Sequence, residues 1–312
     1  KKQKFPEEWN KLRKKFGNIL KLLKISEKKQ DIWDEEYKNS KSFSYYIYKI
    51  YNNRISKKLF DFKVKKISTV GQNKSIFITE NNRIYAKGEN NWRQFNFEDS
   101  KIFVWKEIFH EKLKSCHDVI LGFSFVLYKC DNTIYAAGCG FNGRLGNNSD
   151  EPICDLSEVI IDKVITKISC GSTNSYFLSK TGDIYSTGLK NYLGFFSKHD
   201  ILIPQKIKTT SNYKFVDIAI SNGGYHILAL NDNGEAYSWG HNSVGQTSFD
   251  NNNKIIEIPK MINFKKKILK IVAGWGHSAI IDIDKNLYLF GRNTSGQLGI
   301  DINKSKTTND EH

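Results

Sequence analysis

The residues of this chain with the clearest chemical potential are basic side chains near its beginning. Residues 1–30 hold ten Lys and one Arg against three Glu, a local net charge of +8 in a chain of 312 residues with net charge +15. Ammonium and guanidinium groups clustered in this way suit the phosphates of a nucleic acid or the carboxylates of an acidic protein. The residues that we expect to make such contacts are Lys11, Arg13, Lys14, Lys15, Lys21 and Lys24.

A second basic cluster follows much later, at Lys265, Lys266 and Lys267, with Lys270 nearby. It is a further candidate for contact with a nucleic acid or an acidic partner. A solvated turn is the alternative explanation of such a short run. The abundance of Lys, Asn and Ile also fits the coding bias of an AT-rich gene, which raises the lysine content without any role in binding.

The basic residues at the beginning lie on a predicted amphipathic helix within residues 1–45. Its apolar residues recur every three or four positions, as on one face of an α-helix, at Phe5, Trp9, Leu12, Phe16, Leu20 and Leu23. Three roles remain open for this extension. In the first, the apolar face packs on the rest of the protein. In the second, the lysines bind nucleic acid or an acidic protein. In the third, the helix lies on a membrane surface.

Catalytic, metal-binding and cofactor-binding motifs are absent from the sequence. It contains no phosphate loop, no HExxH, no GxSxG and no pair of carboxylates at helical spacing. His110, Cys116 and His117 are close together but lack zinc-site spacing, and the five cysteines form no CxxC pair. We therefore predict a protein without enzymatic activity, cofactor or metal, with free thiols in a reducing compartment. No apolar run approaches the length of a transmembrane helix.

Two sets of glycines recur with a period near 50 residues and define the elements that position all other residues. The first glycine of each unit is Gly71, Gly122, Gly171, Gly223 or Gly274. The second glycine follows 16 or 17 residues later, at Gly88, Gly138, Gly188, Gly240 and Gly291. A period held this closely predicts a repeat architecture, in which glycine occupies tight bends or close backbone approaches.

Between the two glycines, every unit carries two short apolar runs around a polar turn, which predicts a β-hairpin. In the fourth unit these runs are His226–Ala229 and Ala236–Ser238. Four short strands in about 50 residues are typical of one propeller blade. The sequence therefore predicts an all-β propeller over residues 46–312, with five clear blades and up to seven in total. A shortened unit is a further candidate at Tyr48–Asn53.

The units resemble repeats of the regulator of chromosome condensation family, whose signature is G-x-N-x-x-G-Q-L-G. Residues 291–299 match it in full, residues 240–246 match it through the glutamine, and residues 88–95, 138–146 and 188–194 retain parts of it. The resemblance implies a propeller that usually has seven blades. Contracted blades, a partner that covers an open edge, or a longer parent chain would each explain the smaller number visible here.

The resemblance implies two classes of function. The founding member of the family is a chromatin-bound exchange factor for a small GTPase, whereas other members serve as interaction scaffolds. The basic extension favours a non-enzymatic scaffold that contacts proteins and RNA. Because the family that the units resemble includes members tied to mitochondrial ribosome biology, a mitochondrial-ribosome component or associated factor, bound to rRNA, is the specific expectation. The protein is then intracellular and mitochondrial. The alternative is a nuclear exchange factor for a small GTPase.

Histidines and tryptophans of the repeats are predicted to be structural. His226 and His277 occupy one repeat position, three residues after the first glycine, where the other units have Lys74, Phe125 and Asn174. Such varied chemistry does not suit a ring of ligands, so we expect a hydrogen-bonded structural histidine. We also expect the tryptophans at positions 92, 239 and 275 to be packing residues.

Overall fold

A computed structural model describes residues 45–51, 54–60, 63–71, 73–208, 213–221, 223–248 and 253–300. The chain divides into two compact units, Lys1–Val64 and Lys65–His312. The predicted basic helix and its lysines lie outside the described residues, and the predicted domain boundary at residue 45 stays a prediction. Among the described residues, no helix has the length and apolar character needed to cross a bilayer.

The described part of the first unit is one antiparallel hairpin. Strand β1 (Tyr45–Tyr51) pairs with β2 (Arg54–Phe60), with Tyr45 opposite Phe60 and Tyr51 opposite Arg54. This hairpin spans the stretch at which the sequence indicated a shortened repeat unit.

The described residues of the second unit form five antiparallel sheets that follow one another along the chain. The first contains β3 (Val64–Val70), β4 (Lys74–Thr79), β5 (Ile84–Glu89) and β6 (Lys101–Ile108). The second contains β7 (Asp118–Leu121), β8 (Phe125–Lys129), β9 (Ile134–Gly138) and β10 (Ile153–Glu158). The third contains β11 (Ile165–Cys170), β12 (Asn174–Ser179), β13 (Ile184–Gly188) and β14 (Ile201–Lys206). The fourth contains β15 (Phe215–Ile220), β16 (His226–Asn231), β17 (Ala236–His241) and β18 (Ile255–Met261).

The fifth sheet has three described strands, β19 (Ile268–Ala273), β20 (His277–Asp282) and β21 (Leu287–Gly291). Short 3-10 helices at Glu111–Leu113, Phe141–Gly143 and Lys190–Tyr192 interrupt the connections. Each sheet is a meander in which neighbouring strands in sequence pair in space, as in a propeller blade. The prediction of a β-propeller built from repeats of about 50 residues is confirmed.

The two faces of the second strand of a blade pack against different neighbouring blades. In β12, Phe177 packs towards the second blade with Leu127 and Ile168, whereas Tyr176 and Leu178 pack towards the fourth blade. A strand with period-two side chains that is buried on both faces must lie between two layers. Every residue of β12 and β16 is buried, so these strands are the centre of the core.

The second strand of the fifth blade is buried on one face only. In β20, Ser278, Ile280 and Asp282 are buried, and the residues between them are half-buried. The buried face packs against the fourth blade, where Ile280 and Ile271 meet Leu228 and other apolar side chains of the fourth blade.

Charged pairs join the first strands of neighbouring blades. The ammonium group of Lys66 in β3 contacts the carboxylate of Asp118 in β7, and Lys167 in β11 makes the same contact with Asp217 in β15. These four residues lie on the innermost strands, so the ion pairs help to set the spacing of adjacent blades. The five cysteines are free thiols, and all except Cys154 are buried.

Candidate partner-binding face

The repeat glycines all lie at one end of the blades. In each unit the first glycine follows the first strand and the second glycine lies at or near the end of the third strand, as Gly171 and Gly188 do in the third blade. Because the first and third strands of a meander run in the same direction, both turns lie at the same end of the sheet. We call this end, with the loops after the first and third strands, the loop face.

The second glycine of each unit sits against the backbone of the strand beside it. Gly240 lies directly opposite His226, and a Cβ atom on Gly240 would lie 2.3 Å from the carbonyl oxygen of Tyr225. The φ angle of Gly240 is +95°, a value that L side chains rarely adopt. Gly188 has the same arrangement, opposite Asn174 and 2.3 Å from the carbonyl oxygen of Thr173.

The asparagine two residues after the second glycine holds the following loop in place. Asn90 is fully buried, and its Nδ2 donates to the carbonyl oxygens of Phe97 and Asp99 at 2.9 and 2.8 Å. Its Oδ1 accepts a hydrogen bond of 2.9 Å from the backbone N–H of Phe95. Asn242 and Asn293 bind their own loops through the same atoms. The asparagine of the signature therefore satisfies buried backbone groups, which explains its position in the repeat.

The loops also bind the next blade. The hydroxyl of Ser278 donates to the carbonyl oxygen of Gln246 at 2.8 Å, and that of Ser175 donates to the carbonyl oxygen of Arg144 at 2.6 Å. In the second blade, the hydroxyl of Tyr128 donates to the carbonyl oxygen of Gln94 in the first blade at 3.2 Å. The signature residues therefore stabilise the propeller itself.

His226 is the structural histidine that the sequence predicted. Its Nε2 lies 2.8 Å from the Oγ atom of Ser278, and since that hydroxyl donates to Gln246, the imidazole Nε2–H is the donor in this contact. The Nδ1 atom is buried with no hydrogen-bond partner among the described residues. Burial, together with nearby His277 and His241, lowers the pKa of His226 to about 3.

We expect His226 to make the protein sensitive to acid. Imidazole in an unfolded chain takes up a proton near pH 6.5, whereas His226 in the folded protein does so near pH 3. Below pH 6.5 the unfolded state therefore binds more protons, and stability falls by up to roughly 1.4 kcal/mol per pH unit. The variant His226→Gln, which keeps a donor towards Ser278, should lose less stability between pH 7 and pH 4.5 in urea unfolding. Equal losses in the two proteins would contradict this assignment.

The loops after the first strands meet around a cavity of about 530 Å³ at the inner part of the loop face. The backbone N–H of Phe123 contacts the carbonyl oxygen of Gly171 at 3.4 Å, and that of Ser172 donates to Gly224 at 3.1 Å. The cavity is lined by residues of the first, second, fourth and fifth blades, namely Thr69, Val70, Gly71, Phe123, Ile220, Ser221, Gly223, Ala273 and Trp275. We call this cavity and its rim the mouth.

Two exposed aromatic rings line the mouth. Phe123 is 53% exposed and Trp275 is 62% exposed. A Cβ atom on Gly223 would lie 3.6 Å from the ring of Phe123 and 3.9 Å from the ring of Trp275, so the glycine leaves a gap between them. The expectation that Trp275 is a packing residue is wrong, because it extends from a turn beyond the end of β19. Trp239, inside β17, is fully buried as expected.

A cation stands over each of these rings. The ammonium nitrogen of Lys74 lies 4.5 Å from the centroid of Phe123, and the guanidinium carbon of Arg292 lies 5.0 Å from that of Trp275. Further out on the same face, the expected packing residue Trp92 is 37% exposed and meets Phe141 edge to face at 5.4 Å. The loop face therefore combines exposed aromatic rings with positive charge.

The second basic cluster of the sequence lies away from the mouth. Lys265, Lys266 and Lys267 occupy the connection between β18 and β19, at the opposite end of the blades from the loop face. The ammonium group of Lys266 contacts the carboxylate of Asp284 at 2.8 Å and that of Asp282 at 3.5 Å. Part of this positive charge is therefore neutralised within the chain, and a binding role for the cluster stays a prediction.

Comparison with protein families identifies the repeats. A family described as Regulator of chromosome condensation (RCC1) repeat matches residues 215–246 and 268–297, and a second family of the same description matches residues 233–281. Residues 215–297 therefore carry regulator of chromosome condensation repeats. These matches cover the fourth and fifth blades, where the signature is best preserved.

Known proteins with similar sequence or structure agree with this assignment. The chain is 31% identical over 176 residues to the ultraviolet-B receptor UVR8 of Arabidopsis thaliana, a match of 54% of this chain and 39% of that protein. The crystal structure of human WBSCR16 has a TM-score of 0.68 at 16% identity, over 76% of this chain and 65% of that one. The crystal structure of Prp20p from Saccharomyces cerevisiae, described for its binding to Gsp1p and histones, has a TM-score of 0.61 at 19% identity. This match covers 71% of this chain and 57% of that one.

The chain thus spans well under half of the length of UVR8, and the two solved structures show the fold alone. Within the repeats, the second blade departs from the signature because Arg144 stands where the first, fourth and fifth blades have glutamine. Arg144 is 7% exposed, and its guanidinium donates to the carbonyl oxygens of Phe141 and Ser172 at 2.7 and 3.0 Å. It places a buried positive charge below the loops that surround the mouth.

Proposed function

We propose that this protein is a non-enzymatic scaffold that binds protein partners through the loop face. The observation that carries the proposal is the mouth, where Phe123 and Trp275 stay exposed on loops that a rigid set of blades holds in place. Exposed aromatic residues near one another on a surface are typical of interaction sites, and Trp, Tyr and Arg are enriched among residues that dominate binding energy. Loops on a rigid scaffold are also where binding residues concentrate.

Cross-linking of the full chain to its partners in native extracts tests this proposal. A lysine-reactive cross-linker should join partners through loop-face residues such as Lys74 and Lys190, rather than through Lys265 and Lys285 at the other end of the blades. Cross-links confined to that other end would contradict binding through the loop face.

For the class of partner, we propose a ribonucleoprotein, with a mitochondrial ribosome and its rRNA as the specific candidate and mitochondria as the compartment. The support is the net charge of +8 in residues 1–30, which suits phosphate groups. In this proposal the basic segment contacts RNA while the loop face binds protein.

Charge reversal in the basic segment should weaken association with such a particle. The variant carrying Lys11→Glu, Arg13→Glu, Lys14→Glu and Lys15→Glu should bind rRNA-containing particles less tightly and with a smaller dependence on salt. The reason is that each lost phosphate contact removes about one unit from the slope of log affinity against log salt. The reversal Lys265→Glu, Lys266→Glu and Lys267→Glu is the matched comparison. Unchanged affinity and slope in the first variant would contradict RNA binding by this segment.

Nucleotide exchange on a small GTPase, with the protein in the nucleus, is the second candidate. It is supported by the similarity in fold to Prp20p, which is described for binding to Gsp1p and histones. The purified chain should then accelerate release of a fluorescent guanine nucleotide from a Ran-like GTPase. Release at the spontaneous rate would remove this candidate.

A further inference from the structure

We propose that the mouth binds an acidic peptide segment of a protein partner and takes up one apolar side chain of that segment. This inference rests on the proposed scaffold function and names the chemistry of its ligand. The inner part of the mouth is lined by apolar side chains and its rim is positively charged. The first feature suits an apolar side chain of the ligand, and the second suits carboxylates.

The inner part of the mouth suits an apolar side chain. Val70 is 3% exposed and Ile220 is 9% exposed, and together with Ala273 they line the cavity beneath the two exposed rings. Its volume of about 530 Å³ lies within the range of about 300–1,000 Å³ that is usual for ligand pockets. A Cβ atom on Gly223 would contact Phe123, Trp275 and Val70 at 3.6 to 3.9 Å, so glycine at this position leaves that part of the cavity free for an atom of the ligand.

The rim of the mouth suits carboxylates. Lys74 and Arg292 stand over the rings of Phe123 and Trp275, and the ammonium group of Lys74 also donates to the carbonyl oxygen of Phe123. Among the described residues, no carboxylate oxygen lies within 4 Å of either cation, although Glu89 is near enough to Lys74 to act on its pKa. Arg144 adds charge from below, also without a carboxylate within 4 Å among the described residues. Asp or Glu residues on both sides of the apolar side chain would complement this arrangement.

A peptide fits the mouth better than a nucleic acid does. Single-stranded nucleic acid is bound by positively charged grooves that follow its backbone, with aromatic rings on which successive bases stack. Here Val70, Ile220 and Ala273 line the inner part of the cavity, and a cation already covers one face of each ring. The mouth therefore offers a single anchoring position with charge around it, as in peptide recognition.

Selection from a library of random linear peptides displayed on phage, with the full chain as target, tests the inference. We expect the enriched peptides to contain Leu, Met, Phe or Trp flanked by Asp or Glu. A labelled copy of the most enriched peptide should bind at least about tenfold more weakly to Trp275→Ala or Phe123→Ala, as for residues that dominate an interface. Binding to Arg292→Glu should also weaken and lose its decrease with rising salt.

Two matched variants control for the loss of any exposed aromatic ring. Phe196 is 72% exposed on the loop face outside the mouth, and Phe103 is 73% exposed on the outer strand β6. Phe196→Ala and Phe103→Ala should bind the peptide as the wild type does. All variants remove exposed side chains, so unchanged thermal unfolding should confirm that they fold.

The inference would be overturned by enrichment of basic peptides, by the absence of any enrichment, or by equal binding to the mouth variants and the wild type. Displacement of the peptide from the mouth by a tighter-binding oligouridine would also overturn it, in favour of a nucleic acid. Partner cross-links that stay on the loop face in the Trp275→Ala variant would leave the scaffold function standing, so the two proposals can fail separately.

Discussion

Replacing Gly240 by Ala is expected to destabilise the protein by about 3 kcal/mol or more. The added Cβ would lie 2.3 Å from the carbonyl oxygen of Tyr225 and 2.9 Å from the Cα of His226, and neither backbone atom can move without disturbing β16. The φ angle of +95° adds strain of about 1–3 kcal/mol for any residue with a side chain. Urea unfolding, followed by tryptophan fluorescence because Trp239 is buried nearby, measures the effect.

The variant Gly296→Ala separates strain from collision. Gly296 also has a positive φ of +73°, but a Cβ there would have no atom within 4 Å. The substitution should therefore lower the free energy of unfolding only by the cost of the left-handed conformation, about 1–2 kcal/mol. Equal destabilisation by the two substitutions would show that close approach of the neighbouring strand is not what requires glycine at position 240.

Replacing Asn90 by Ala is expected to destabilise the protein by about 3 kcal/mol. The change leaves the buried N–H of Phe95 without its partner, which costs about 1–3 kcal/mol unless water replaces it. The carbonyl oxygens of Phe97 and Asp99, which are only partly buried, lose their donor as well. Hydrogen exchange should show the loss directly, as faster exchange of the Phe95 amide.

The substitution Asn132→Ala provides the comparison, because Asn132 is an exposed residue in the turn between β8 and β9. A surface change of this kind should alter stability by less than about 0.5 kcal/mol. If Asn90→Ala proved as mild, the signature asparagine would have some role other than to hold its loop.

The repeat and its blades could be predicted from the sequence because the constraints are local. Gly188 and Gly240 need a backbone conformation and a space that only glycine accepts, so the same residue returns in every unit. The paired apolar runs return for the same reason, since a second strand such as β16 must be apolar on both faces to lie between two blades. Neither constraint depends on the identity of a partner.

The mouth could not be predicted in the same way because its residues do not repeat. The position after the first glycine is Phe123 in the second unit, Ser172 in the third and Trp275 in the fifth. Along the chain these are unrelated loop residues, and Trp275 resembles the buried Trp239 in type. Only the packing of the blades brings Phe123 and Trp275 close to Gly223. An aromatic residue at a turn position that is polar or small in other units is the signal that could have identified them.

The central claim, that the protein is a scaffold which binds partners through its loop face, is tested most directly by partner capture with matched variants. The full chain, its Phe123→Ala/Trp275→Ala double variant and its Phe103→Ala variant would be used as bait in native extracts, with recovered proteins quantified by mass spectrometry. We predict that the double variant loses a defined set of partners that the wild type and Phe103→Ala both retain. Recovery of the same partners in the same amounts by all three baits, with cross-links that lie away from the loop face, would contradict the claim.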